Sequence, residues 1–436
     1  MHRFRRILAV SVVMGTMAAS VRAQGAATAA PPSNLTVTDA EAMALKNHPQ
    51  ISMARLLALA EGQVRREVKS VELPTVTGNL TAVQAHDGGR MTAGLLNSPA
   101  LYTRAAGGVT VSQLITDFGR TQNLVASAGL RERAQQSAEM ATEADIKLAV
   151  DEAFYRALAA QAVVNVARKT VAFRQDTSNL VDSLADAKLK STLDRSFAEV
   201  NLNQAQLLLL DAQNAQDGAF ADLSTVMGYE RQQAFILVDN AGDLAVPPEN
   251  VDALTTMAMR SRPDLTALND QFEAAERYRK AEHELWRPTI SALGATGGAP
   301  VRSDSISSSW YGAAGVNVSV PVFNGGLYSA RAKEADYRAS AVQEQVRDLR
   351  NKIARDVRVS WLSSQSAYQR VSVTARLLAQ ANQALDLAQT RYKLGLSSIV
   401  ELSQAELAQT SAEIGNTNAR YDYQQTLAAI RYQTGQ

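Results

Sequence analysis

From Val316 to Val322 apolar and small polar residues alternate. Val316, Val318, Val320 and Val322 fall on one side, Asn317 and Ser319 on the other. Period two predicts a strand with one wet face. Pro321 and the pair Gly325-Gly326 stop it. From Leu327 to Leu394 there is then neither glycine nor proline. A helix over that span would be roughly 100 Å long at 1.5 Å per residue. The same sequence of events occurs earlier. "GVTVSQLITDFG" (Gly108 to Gly119) alternates, stops, and is followed by a helical pattern from Arg120 to about Ala187, broken only by Gly129. "TVTGNLTAV" (Thr75 to Val83) alternates too, with Val76, Gly78, Leu80 and Ala82 opposite Thr75, Thr77, Asn79 and Thr81.

Helices this long cannot bury themselves in a compact core, where three or four turns are usual. Their partner is another helix. Val342, Val346, Leu349, Ile353, Val357, Trp361, Ser364, Tyr368, Val371, Ala375, Leu378, Asn382 and Leu385 recur at spacings of three and four. That is a coiled-coil seam.

The chain is written twice. "NHPQISMARLLALAEGQVRREVKSVELPTV" from Asn47 matches "SRPDLTALNDQFEAAERYRKAEHELWRPTI" from Ser261, pairing Pro49 with Pro263 and Pro74 with Pro288. Further on, Val109, Val111, Asp117 and Gly119 match Val316, Val318, Asn324 and Gly326; Gly228 matches Gly435. The offset changes between these blocks, within two stretches rich in turn residues, so length varies where a loop is expected. Each copy reads helix, strand, loop, strand, long helix, turn, helix. The first occupies 24–240, with a β-hairpin at about 74–118 and a helical hairpin at about 120–227. A Pro-containing linker covers 241–251. The second copy is 252–436, with a β-hairpin at about 288–322 and a helical hairpin at about 327–434. Gly395 supplies the helix stop in copy two, whereas copy one has Lys188 there.

The first residues add a destination. Arg3, Arg5 and Arg6 precede an apolar run, and Val21-Arg22-Ala23 resembles a cleavage site, so 1–23 reads as an export signal. Removing its four arginines and no acid takes the formal charge from +1 to −3. No basic face marks a nucleic-acid partner. The absence of cysteine excludes disulfides, thiolate metal sites and a cysteine-linked lipid anchor.

Four alternating strands per chain, apolar outside and polar inside, suit a membrane barrel around water. Four cannot close one, and open edges are not tolerated in lipid. Two chains would supply eight strands, too tight for a pore; three would supply twelve. The expected fold is mainly α with a transmembrane β-barrel portion. Pro74, Gly119, Pro288 and Pro321 to Gly326 mark the strand–helix junctions. Trp286 and the pair Trp310-Tyr311 flank strands and suit a girdle at the membrane interface.

This organisation resembles the TolC-like outer-membrane efflux factors over nearly all of the chain. The resemblance rests on "LTVTDAEAMALKNHPQI" (Leu35 to Ile51), the two strand-to-helix segments, and "TRYKLGLSSIVELSQAEL" (Thr390 to Leu407). It implies a homotrimer in outer-membrane lipid with a helical periplasmic tunnel. The tunnel tip would close like an iris and dock, through a periplasmic adaptor protein, with an inner-membrane pump. Cargo would be small molecules or secreted protein. The tip maps to about 184–194 and 392–401, with Asp194, Tyr392, Gly395, Glu401 and Gln404 at the aperture. The family commonly has two acids one turn apart where this chain has Glu401 and Gln404, and often a basic residue where it has Ser397. Lys188, Lys190, Arg195 and Lys393 would offset part of the acidic charge. Segments at about 85–105 and 299–309 are expected to face the cell exterior.

No catalytic constellation is legible: there is no G-x-S-x-G, P-loop or G-x-G-x-x-G. His48, His86 and His283 are far apart, so neither metal nor cofactor is expected. The main rival to an exit duct is a periplasmic adaptor or scaffold with coiled-coil hairpins. The twofold repeat and paired strands argue against it.

Overall fold

The computed structural model describes residues 34–84, 92–93, 96–97, 104–233, 235–239, 244–302 and 308–436. Each copy opens with two helices, one more than its sequence pattern predicts. Helix α1 (Val37–Asn47) starts on a capping box between Thr36 and Asp39. It stops at His48, whose extended backbone (φ −70°, ψ 125°) precedes Pro49, first residue of α2 (Pro49–Ser70). A residue before proline is pushed out of the helical region, and proline at a first helical position forfeits no hydrogen bond. The second copy repeats this with α5 (Val251–Ser261), Arg262 (φ −70°, ψ 123°) and α6 (Pro263–His283).

Each copy also ends on its own beginning. Gly228 (φ 82°) and Gly435 (φ 73°) terminate the last helices in the left-handed region. A Cβ on Gly228 would lie 2.8 Å from the Asn47 carbonyl carbon; one on Gly435 would lie 2.8 Å from that of Ser261. Only glycine combines that φ with that approach.

Between these ends lie β1 (Thr75–Val83), β2 (Thr92–Ala93), β3 (Leu96–Asn97), β4 (Arg104–Thr116), β5 (Thr289–Val301) and β6 (Trp310–Ser319). The long hairpins are α3 (Arg120–Asp186) with α4 (Thr192–Val226), and α7 (Leu327–Lys393) with α8 (Ile399–Thr434). Helices α3 and α7 each have 67 residues. Gly129 does not interrupt α3, which runs unbroken over 67 residues; the cost of about 1 kcal/mol for one internal glycine is small for a helix of that length.

The seam of α7 follows the expected positions as far as Val371. Beyond it Leu378 and Leu385 stay half-buried as expected, whereas Ala375 and Asn382 face outward and the buried positions are Ala381, Ala388 and Tyr392. One of the two seam positions per repeat thus moves one place N-terminal, from Asn382 to Ala381, which makes that side of the packed face alanine-rich. Larger side chains gather where more than two helices meet. One such cluster, around Val150, Phe154, Leu223, Met227 and Leu237, ties α1, α3 and α4 together.

The sheet has the order β1-β4-β5-β6, all antiparallel. Strands β4 and β5 pair across the two copies, Val109 opposite Thr296 and Val111 opposite Gly294. Following the register, Val76, Val111, Gly294 and Ala314 share one face. Thr77, Thr110, Ala295 and Ala313 share the other. In the single chain β1 and β6 are edges. Strand β5 runs to Val301, so its loop starts later than 299. Most of the two expected exterior loops, the export signal, and part of the linker lie outside the described residues.

Candidate functional site

The two hairpin turns are built alike. At the end of α3, Leu189 donates its N–H to the Leu184 carbonyl (2.8 Å) and Lys188 to that of Ala185 (2.9 Å). At the end of α7, Leu396 donates to Arg391 (2.8 Å) and Gly395 to Tyr392 (3.0 Å). Both are Schellman stops, which need a left-handed residue. Gly395 (φ 72°) adopts it freely; Lys188 (φ 61°) adopts it under strain. Ser191 and Ser398 then cap α4 and α8.

The two acids expected at the aperture differ. Asp194 is consumed locally: its carboxylate accepts from the Ser191 N–H (3.0 Å) and hydroxyl (2.8 Å). Glu401 does not close a box. It faces Arg391 across the turn, Nε to Oε1 3.6 Å, with both side chains about half exposed (55% and 44%). Gln404, one turn on, is exposed. Arg195, expected to offset part of the acidic charge, binds Asp182 (2.9 Å) and Asp186 (2.5 Å) on α3.

Tyr392 is 2% exposed and packs with Val181, Ala198, Ala388, Ile399 and Leu402. Lys190 from the other turn holds its ammonium 4.2 Å from the ring centroid. Burial, then the Asp194 charge, raise the phenol pKa.

Higher up, α3 and α8 share a buried pair that sequence reasoning missed. Arg174 and Glu406 are 6% and 3% exposed, Nε to Oε2 3.8 Å. Arg174 also donates to the Asn201 carbonyl (2.9 Å), and Asn201 donates to the Ser403 hydroxyl (2.5 Å). Burial raises the Glu406 pKa and lowers that of Arg174. The signal was present. Ile399, Leu402 and Glu406 follow at spacings of three and four, so the acid stands in the seam.

At the opposite end of the long helices are the junctions. Pro74 and Pro288 immediately precede β1 and β5, and Pro321 follows β6. Gly119 (φ 106°) and Gly326 (φ 84°) open α3 and α7 in the left-handed region, as does Gly325 (φ 62°) just before. Asp117 accepts from the Thr121 N–H (2.8 Å) and hydroxyl (2.5 Å).

The aromatics separate. Trp310 lies on the apolar face of the sheet, opposite Gly298. Tyr311, one residue on, points the other way, because side chains alternate along a strand. Its ring lies over Gly297 and its hydroxyl over Gly108, where a Cβ would clash. Tyr311 therefore does not share a girdle with Trp310; it covers a glycine gap on the polar face. Trp286 sits in a 3-10 turn (Glu284–Trp286), edge-on to Tyr328 of α7 at 5.5 Å. Sequence reading overlooked Phe118 and Phe323, exposed at the ends of β4 and β6. Each is an aromatic directly after a period-two run.

Comparison with known proteins agrees with this geometry. The model of the family described as "Outer membrane efflux protein" matches residues 42–229 and 254–436. The chain is 23% identical over 422 residues to the alkaline protease secretion protein AprF of Pseudomonas aeruginosa, covering 92% of this chain and 84% of that one. It is 23% identical over 411 residues to the outer membrane efflux protein BepC of Brucella suis, covering 92% and 85%. Among solved structures, the Campylobacter jejuni CmeC outer membrane channel superposes with a TM-score of 0.79 at 14% identity, covering 92% of this chain and 85% of that one.

Proposed function

The chain belongs to the outer membrane efflux protein family, and on that premise we propose how this outer-membrane efflux channel works. It acts as a homotrimer. Strand β6 of each copy pairs with β1 of the next, so twelve strands close a barrel in outer-membrane lipid. The long helices continue the barrel as a tunnel into the periplasm. The observation that carries this reading is a sheet with two bare edges and one apolar face, joined directly to two 67-residue helices.

The duct is passive. It is driven by an inner-membrane pump reached through a periplasmic adaptor protein, and its cargo is small molecules or secreted protein. The adaptor reading of the chain itself is set aside, because the matched family is one of channels.

The tip formed by the two hairpin turns is the gate. Glu401 and Asp194 both place a carboxylate there: Asp194 keeps its charge while capping its own helix, and Glu401 shares its field with Arg391. Like charges in a confined pore concentrate counter-ions and favour cations. Single channels in planar bilayers test this. Glu401→Lys and Asp194→Lys should each weaken cation selectivity. Unchanged selectivity and conductance in both intact variants would move the gate elsewhere.

A further inference from the structure

Asp151, on α3, is 6% exposed. Its Oδ2 accepts from Arg431 of α8 (3.0 Å). Its Oδ1 is buried and has no donor among the protein groups. Glu41 of α1 is half-buried; both acids line one crevice between α1, α3 and the end of α8, and the Glu41 charge acts on the Asp151 carboxyl. Two carboxylates cannot hydrogen-bond to each other; a carboxylic acid and a carboxylate can. We propose that Asp151 and Glu41 form a proton-sharing pair that fastens α1 to α3 and α8, making the middle of the molecule a pH-dependent clasp.

The surrounding charges fit one proton on the pair. Arg431 is the cation in contact and balances the single remaining negative charge; Glu143 and Lys147 of α3, and Arg262 paired with Asp264 at the start of α6, line the same crevice. Tyr155 and Asp239 lie close enough to feel the same field. Tyr432 of α8 is turned away, donating to Asp145 (2.6 Å). Burial, then Glu41, push the Asp151 pKa up to about 7, against the opposing pull of Arg431. A buried carboxyl whose folded pKa exceeds its unfolded value binds a proton on folding. Its contribution is therefore fully present below the unfolded pKa and is lost as pH rises from about 4 to about 7.

The test uses the full detergent-solubilised protein and its Glu41→Gln and Asp151→Asn variants. Each variant keeps a donor between the two groups at every pH. Thermal unfolding of the wild type should shift to lower temperature between pH 5 and pH 8, and the shift should be markedly smaller in both variants. Infrared spectra at pH 6 should show a protonated-carboxyl band that Asp151→Asn removes. Wild-type and variant curves that stay parallel over that pH range would overturn the proposal. So would a wild-type spectrum without the band, which would mean that a bound cation, rather than a proton, joins the two acids.

Discussion

Lys190 and Tyr392 bring the two turns of one chain together: the ammonium stands 4.2 Å from the ring centroid. The residues come from different repeats, so the contact spans the line along which the hairpins would separate. A cation over an aromatic face contributes about 0.5–1 kcal/mol when exposed and more when desolvated. Lys190→Ala should raise the open probability of single channels, and Tyr392→Ala should raise it further by emptying the packed cluster. Tyr392→Phe should behave like the wild type, because the phenol oxygen has no hydrogen-bond partner. A Phe variant as leaky as the Ala variant would place the latch on the hydroxyl instead.

Lys188 is held at φ 61° where its repeat mate is Gly395. A non-glycine residue pays about 1–2 kcal/mol for that conformation. Lys188→Gly should raise the unfolding midpoint of the purified protein, and Gly395→Lys should lower it. A lower midpoint for Lys188→Gly would show that the lysine side chain contributes more than the strain it carries.

Removing Glu406 alone would leave Arg174 charged, buried and unpaired. Breaking one side of a buried pair typically costs about 3–5 kcal/mol, whereas replacing both partners by apolar residues is often neutral or stabilising. Denaturant titration should find Glu406→Ala strongly destabilised and the double variant Arg174→Met with Glu406→Leu close to the wild type. Equal losses in the single and double variants would contradict a desolvated pair.

Gly435 and Gly228 close their repeats against the backbone that precedes Arg262 and against the Asn47–His48 backbone. Alanine at either position meets both a 2.8 Å contact and a left-handed φ. Hydrogen exchange should quicken locally, in α5 for Gly435→Ala and in α1 for Gly228→Ala. Faster exchange confined to the hairpin tips would mean that the repeats are not closed at these glycines.

Much of this organisation is legible along the chain because long helices and proline-bounded segments leave local marks. The Pro49 and Pro263 boundaries, the glycine stops and the paired alternating runs each follow from backbone chemistry at one or two residues. What was hidden depends on neighbours. The shift of the α7 seam to Ala381 and Ala388 reflects how α8 lies against it. The separation of Trp310 from Tyr311 requires the strand's register. The pairing of Arg195 with Asp182 and Asp186 requires the turn. The Asp151–Glu41 contact joins residues 110 positions apart with no motif between them.

In the proposed trimer, β1 and β6 of different copies complete one barrel. The chain has no cysteine, so introduced pairs report cleanly. Thr77→Cys on β1 would be combined in turn with cysteine at Ala313, Gly315 or Asn317 on β6, all on the polar face. After oxidation in outer membranes, one combination should give a ladder on a denaturing gel that stops at three chains. A ladder ending at two, continuing past three, or absent from every combination would contradict it.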